Sequence, residues 1–385
     1  MKFQWLCLLL GFSLPAFAAE YYIRVPFKNY EDIKRLVDQG FDVGGINLQK
    51  KRVTLVVKEE DLPKTRGMKI LEKRAIGRPD SQYKKPVDVE KMLFDTETAF
   101  PHLAKVESIG KTGEGRDIWA IHLTSYFFVS EKPKLSVLFD AMHHAREVMT
   151  PEVALDIVDY LTKNYGADPK VTKWMNQYDI WVVPMLNPDG NNKVWNSSSM
   201  WRKNNRGGYG VDPNRNYTYE WNSCNGSSGS QSSETYRGPS AGSEPESQAL
   251  MNLATRIKPM FNISYHSYSE IVIYPYGCSP KHIPAPDQAI YEGVGKELAA
   301  KLVRDSGSGS YDPGTAYELL YDVDGGSIDW MYASEKVMSF VIEMNGDAEG
   351  FQPSYAAWRD KTVQRQRLGW QYILDRMEGP GIKPQ

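Results

Sequence analysis

Leu135-Ser136-Val137-Leu138-Phe139-Asp140-Ala141-Met142-His143-His144-Ala145-Arg146-Glu147 is the stretch that decides the fold. Its first seven residues read as a buried strand, and two histidines and a glutamate follow at once. Thr150-Pro151-Glu152 then opens a helix that runs to about Tyr165, with Thr150 as N-cap and Pro151 at the first helical position. In open α/β sheets, sites form at the carboxyl ends of strands, where this strand places its ligand-type side chains.

The same alternation continues on both sides. Strand-like runs cover 117–124, 179–184, 261–265 and 338–342, and helical patterns cover 243–256, 291–304 and 355–375. Apolar strands alternating with helices predict an α/β fold: a mixed, largely parallel twisted sheet with helices on both faces. Gly/Ser-rich stretches at 226–233 and 306–310 read as loops, and no internal repeat is present.

The N-terminal part has a different character. Residues 1–18 carry Lys2, an apolar run from Trp5 to about Leu14, and Ala16-Phe17-Ala18, which together read as a cleavable secretory signal. Secretion or export to the periplasm is the expectation. The run is too short to span a bilayer. Residues 19–78 read as a small α+β unit. Strands are expected at 21–26, 41–47 and 52–57, with a helix from Asn29 to about Gln39. From 64 to 78 the chain turns basic and loses pattern, and Lys73-Arg74 and Arg78 offer sites for a trypsin-like protease. Residues 19–78 carry a net charge of +5, and 79–385 carry −8. The small unit is either a solvated subdomain or an inhibitory segment docked by opposite charge.

Composition sets the outer limits. The 385 residues are 41% hydrophobic and 12% aromatic, which argues against bulk disorder. The overall net charge of −2 supplies no basic field for nucleic acid. Cys7 lies in the leader, so the mature chain keeps Cys224 and Cys278, which could pair in an oxidising compartment or remain thiols. Asn-x-Ser/Thr sequences at Asn196 and Asn216 matter only in a glycosylating host.

Six histidines occur, and His144 and His266 each lie at or just past the end of an expected strand. With Glu147 they supply two nitrogens and a carboxylate and leave positions open for water, the set a catalytic zinc needs. The His-x-x-Glu step alone is common, and His143 competes with its neighbour for the ligand role.

Further motifs follow in order: Leu186-Asn187-Pro188-Asp189-Gly190, Trp201-Arg202-Lys203, Asp212-Pro213-Asn214-Arg215-Asn216, Ser233-Glu234-Thr235-Tyr236-Arg237-Gly238, His266-Ser267-Tyr268-Ser269, Gly325-Gly326-Ser327-Ile328-Asp329-Trp330 and Phe340-Val341-Ile342-Glu343. From about Asp88 to Asp375 the chain resembles the zinc metallocarboxypeptidases of the digestive A/B type. Two histidines and a glutamate are the zinc ligands of carboxypeptidase A itself, so the set is part of the resemblance.

The resemblance implies one Zn²⁺ held by His144, Glu147 and His266, with Glu343 as the general base that activates water at the metal. Asn214 and Arg215 would clamp the substrate's terminal carboxylate, which suits a guanidinium fork. Tyr321 would close over that terminus, and Arg146 and Tyr268 would line the upstream side. Family members usually carry an oxyanion-stabilising arginine three residues after the first arginine of the Trp-Arg-Lys stretch. Asn205 stands there, so Arg206 is assigned the role, with Arg202 as the rival.

The position that would select the substrate's last side chain is Ile328. Ile273, Gly277, Ala316, Leu320, Val323 and Val341 would be its neighbours, a set that favours aromatic or aliphatic C-termini. Asp322, Asp324 and Glu270 are the acids that could alter that preference. The chain thus divides into a signal at 1–18, a pro-segment at 19–78 and a catalytic domain at 79–385. The expected partners are peptide C-termini, the enzyme's own pro-segment and an activating protease, and a monomer is expected. A cell-wall peptide-trimming peptidase of the same fold is the alternative enzyme reading. An inactive carboxylate-binding module is the alternative outside catalysis, and it is disfavoured because Glu343 and all three ligands are present.

Overall fold

A computed structural model describes residues 19–128, 133–278 and 280–378; the expected leader at 1–18 lies outside them. The N-terminal unit comprises β1 (Glu20–Pro26), α1 (Tyr30–Asp38), β2 (Asp42–Asn47), β3 (Arg52–Lys58) and β4 (Glu72–Ala75). Its sheet has the order β2-β3-β1-β4 and is antiparallel throughout. The Asn29 side chain accepts the Asp32 N–H at 3.3 Å and so caps α1, as its residue type favours. The core of this unit is formed by Ile23, Val25, Ile33, Ile46, Val53 and Leu55.

The expectation that 64–78 lacks regular structure does not hold. Within 64–78, residues 72–75 form β4, paired with β1 from Tyr21↔Ala75 to Arg24↔Glu72. All four β4 side chains are exposed, so backbone pairing sets the strand and no apolar alternation marks it.

The larger unit runs α2 (Pro86–Ala99), β5 (Ala104–Lys111), β6 (Asp117–Leu123), β7 (Leu135–Ala141), α3 (Thr150–Asn164), α4 (Pro169–Gln177), β8 (Tyr178–Val183), α5 (Pro188–Asn196), α6 (Pro245–Ile257), β9 (Phe261–Ser267), β10 (Ile271–Tyr274), α7 (Asp287–Lys301), β11 (Asp312–Thr315), α8 (Ala316–Leu319), α9 (Ser327–Glu335), β12 (Met338–Met344) and α10 (Tyr355–Arg376). Its sheet has eight strands in the order β11-β10-β12-β9-β7-β8-β6-β5. The central run β12-β9-β7-β8 is parallel; β10, its parallel neighbour β11, and β6 run opposite to it, and β5, antiparallel to β6, returns to the direction of the central strands. This is the expected mixed, largely parallel α/β architecture. Among the described residues no helix is long and apolar enough to cross a membrane.

Side chains of β7 alternate between two cores. Val137, Phe139 and Ala141 join Ile157, Leu161 and Trp370 on one face. Leu138 joins Leu250, Leu253 and Trp330 on the other. Period-two alternation with both faces apolar explains why LSVLFDA reads as one continuous buried strand.

Two helix starts differ from expectation. Thr150 is the first helical residue, and its hydroxyl donates to the Glu147 carbonyl at 2.8 Å. Met149 is already in the helical region, so the turn begins one residue before the expected cap. α7 starts at Asp287, four residues ahead of the apolar pattern, directly after Pro286.

Candidate metal centre and substrate cleft

The parallel register brings three segments to one end of the sheet. β7 leads into the His144–Glu147 turn, His266 lies in β9, and Glu343 of β12 pairs in register with His266. His144 Nδ1 lies 2.8 Å from one Glu147 oxygen, and His266 Nδ1 lies 3.2 Å from the other. The two Nδ1 atoms are 3.2 Å apart. All three side chains are buried. Two imidazole nitrogens and a carboxylate converging on one point fit a zinc ion by donor type. His143, the competing histidine, turns away: its Nε2 meets the Tyr217 hydroxyl at 2.7 Å and its Nδ1 faces Asp140 at 3.3 Å.

The ligands are held from behind. His144 Nε2 meets Asp212 Oδ1 at 3.1 Å, and Asp212 Oδ2 accepts Arg202 Nε and Nη2 at 3.1 and 2.9 Å. Such a carboxylate fixes the imidazole's orientation and tautomer. Burial works to raise the Asp212 carboxyl, but Arg202, His144 and Arg215 hold it well below the usual range. Burial likewise opposes ionisation of Glu147, and the two imidazoles outweigh it. Glu343 moves the other way: burial, then the Glu147 charge, push its carboxyl well above the usual range, while Arg202, Arg215 and Arg146 pull it down.

One cleft joins His144, Glu147 and Glu343 with Arg202, Asn214, Arg215 and Tyr321. The same cleft is walled by Ile273, Gly277, Ala316, Leu320, Val323, Ile328 and Val341. Two of the three acids that could alter its preference are engaged elsewhere. Glu270 pairs with Arg304 at 3.2 Å, and Asp324 accepts backbone N–H groups from a neighbouring loop. Asp329 is an acid of this cleft that the sequence reading did not single out. Its Oδ2 accepts the Gly277 N–H at 2.9 Å, and burial pushes its carboxyl up to about 7.

Arg206 is not brought to this cleft. Its side chain is 40% exposed and pairs with Glu244 at 3.0 Å, among residues of a separate surface depression. Arg202 takes the place by the metal ligands. The Ala145 N–H donates to the Arg202 carbonyl at 2.9 Å, which seats residue 202 beside the His144 turn. Asn204 then turns the chain outward, with its amide donating to Glu244 and Glu246 at 2.8 and 3.0 Å. Residue counting along the chain could not show this reversal.

The N-terminal unit covers the cleft. Val43, Gly44 and Gly45 of β2 line it. A Cβ on Gly45 would stand 2.4 Å from the Tyr268 ring, so only glycine lets the strand pass this close. Asp42 pairs with the fully buried Arg146, Oδ1 accepting Nη2 at 2.8 Å and Oδ2 accepting Nη1. Leu48 packs against the wall formed by Ile273, Ala316, Ile328 and Val341. Asp347 of the larger unit receives Arg24, Arg52 and Asn47 of the N-terminal unit. Cys224 and Cys278 form a disulfide. Asn216 is buried, and its amide donates to Arg237, Ser240 and Ser243, so it is not open to glycosylation, whereas Asn196 is exposed.

The peptidase M14 zinc carboxypeptidase family profile matches residues 89–363. Carboxypeptidase A1 of Rattus norvegicus is 30% identical, over 84% of this chain and 76% of its own length. Carboxypeptidase B of Homo sapiens is 33% identical, over 70% of this chain and 65% of its own length. The crystal structure of carboxypeptidase A from Helicoverpa armigera superposes with a TM-score of 0.76 at 22% identity, covering 93% of this chain and 96% of that one.

Proposed function

The chain belongs to the zinc carboxypeptidase family of peptide hydrolases, and from that premise we propose that it removes single aromatic or aliphatic residues from peptide C-termini. The observation that carries this reading is one cleft lined by His144, Glu147, Glu343, the Asn214/Arg215 pair and an apolar wall, with His266 completing the buried metal triad.

His144, Glu147 and His266 would hold the zinc ion. When bound, zinc supplies Lewis acidity, polarising the scissile carbonyl and acidifying water. Glu343 takes a proton from the attacking water and passes it to the leaving amine. Its carboxylate must be ionised for the first step; burial and the Glu147 charge oppose that form, and the three nearby guanidinium groups, with a bound dication, would favour it. Arg202 donates to the oxygen that gains charge as the carbonyl is attacked; its Nε and Nη2 are already anchored on Asp212, so the donor is fixed in advance. Arg215 and Asn214 bind the terminal carboxylate, and Tyr321 closes the cleft from above. The wall around Ile328 accepts an apolar side chain and leaves a cationic one without a partner.

Residues 19–78 are an inhibitory pro-segment in this reading, and a leader at 1–18 directs export. Three contacts support inhibition: Asp42 on Arg146, Gly44 and Gly45 lining the cleft, and Leu48 against the pocket wall. The Cys224–Cys278 bond supports an oxidising compartment. The test compares kcat/KM for peptides ending in Phe and in Arg, before and after trypsin treatment. Preference for Phe, rising after treatment, is expected. Preference for Arg would overturn the pocket assignment, and full activity before treatment would overturn the pro-segment.

A further inference from the structure

We propose that the Cys224–Cys278 disulfide and the buried Asp324 act together as a positioning unit that locks the carboxylate clamp to the side-chain pocket. The proposal rests on the carboxypeptidase reading of the cleft.

Cys224 lies on the loop that follows the clamp residues Asn214 and Arg215, and Cys278 directly follows the pocket residue Gly277. The bond therefore joins the two halves of substrate recognition across 54 residues of chain. Each half also bonds to a third segment, residues 323–327. The Gly226 carbonyl accepts Arg215 Nε at 3.0 Å. The N–H groups of Ser223, Cys224 and Gly226 all donate to Asp324 Oδ2, at 3.0, 3.1 and 3.3 Å. On the pocket side, the Gly277 carbonyl accepts the Val323 N–H at 3.1 Å. Asn214 Oδ1 accepts the Ser327 N–H at 2.9 Å, which returns the connection to the clamp.

The fit is close. A Cβ on Gly226 would stand 2.5 Å from the Asp324 nitrogen, and one on Gly277 would stand 2.4 Å from the Val323 carbonyl oxygen. Asp324 has no exposed surface, and its Oδ2 accepts three backbone donors that all belong to the stapled loop. The loop is thus fixed at one end by a covalent bond and through its middle by a buried carboxylate. What it delivers to the cleft is the carbonyl that aims the Arg215 guanidinium. A disulfide serving only to shorten the unfolded chain would stabilise the fold without affecting substrate affinity. A positioning role pre-organises the clamp, and its loss falls on binding before chemistry.

The experiment uses trypsin-treated, zinc-loaded protein and a peptide ending in Phe. It compares wild type, the same protein after mild phosphine reduction and reoxidation, the Cys224→Ser/Cys278→Ser double variant, and Asp324→Asn. Reduction and either variant should raise KM about tenfold, with kcat within about twofold and zinc content unchanged. Reoxidation should restore KM. Discrimination against the same peptide with an amidated C-terminus should shrink in parallel. Unchanged KM in reduced protein, or a fall in kcat at constant KM, would overturn the proposal. If the double variant fails to fold, the reduction and reoxidation arm decides. Failure of the wild type to release a C-terminal residue would instead sink the carboxypeptidase reading.

Discussion

Replacing Arg202 by alanine should lower kcat about 10²–10³-fold, roughly 3–4 kcal/mol, the usual cost of removing one oxyanion donor from a water-poor site. Arg202 is 7% exposed and stands beside His144 and Glu147 in the cleft, so its charge acts with little screening. Replacing Arg206 removes a half-exposed ion pair with Glu244, worth at most about 1 kcal/mol, or about fivefold if all of it reached the rate. The assay is steady-state kcat on a peptide ending in Phe for both variants, with zinc measured on each sample. The zinc control is needed because Arg202 also anchors Asp212, which orients His144. A 10²-fold loss in Arg206→Ala with Arg202→Ala within about fivefold would refute the assignment. So would a loss in Arg202→Ala that simply tracked departed zinc.

Asp42→Ala leaves the buried Arg146 without its carboxylate, a change that costs about 3–5 kcal/mol when one partner of a buried pair is removed. Untreated variant protein should therefore approach the activity of trypsin-treated wild type; unchanged latency would count against the segment's role. Asp347 should make docking acid-sensitive. Burial works to raise its carboxyl, but Arg52, Asn47 and Arg24 hold it below the ordinary value of about 3.9. Its contribution is thus present above that value and lost as pH falls through the depressed one. Gel filtration after cleavage should show the segment retained at neutral pH and released in acid, and equal retention at both would contradict this. Ile328→Asp should shift preference toward C-terminal Arg and cut kcat/KM for Phe about tenfold or more, read from paired peptides.

Much of the fold is legible because its strands carry their own signature. β7, β8, β9 and β12 are apolar runs ended by turn residues or ligands, and their parallel order follows from the helices between them. β11, with the sequence Asp-Pro-Gly-Thr, is a strand only because it pairs with β10, and nothing local distinguishes it from a turn. β4 is invisible for a related reason: an exposed edge strand has no face to bury. Of the cleft residues, Asn214, Arg215, Ile328, Val341 and Glu343 lie in the ordered motifs, whereas Ile273, Gly277, Ala316, Leu320, Tyr321 and Val323 stand outside them and follow only from the resemblance. Arg206 lines a separate surface depression, because spacing along a loop carries no direction. The Ala145–Arg202 backbone bond and the Asn204 anchors decide which arginine faces inward. The disulfide partners were present in the sequence, but their approach depends on the loop geometry between Asp324 and Gly277.

The central claim is that this cleft cleaves only next to a free C-terminus, with Glu343 as base. Mass spectrometry of one peptide ending in Phe, incubated with trypsin-treated, zinc-loaded protein, tests it directly. The account predicts loss of the last residue alone, no cleavage of the C-terminally amidated peptide, and no product with Glu343→Gln although zinc is retained. Internal cleavage, equal turnover of the amidated peptide, or an active Glu343→Gln enzyme would contradict it.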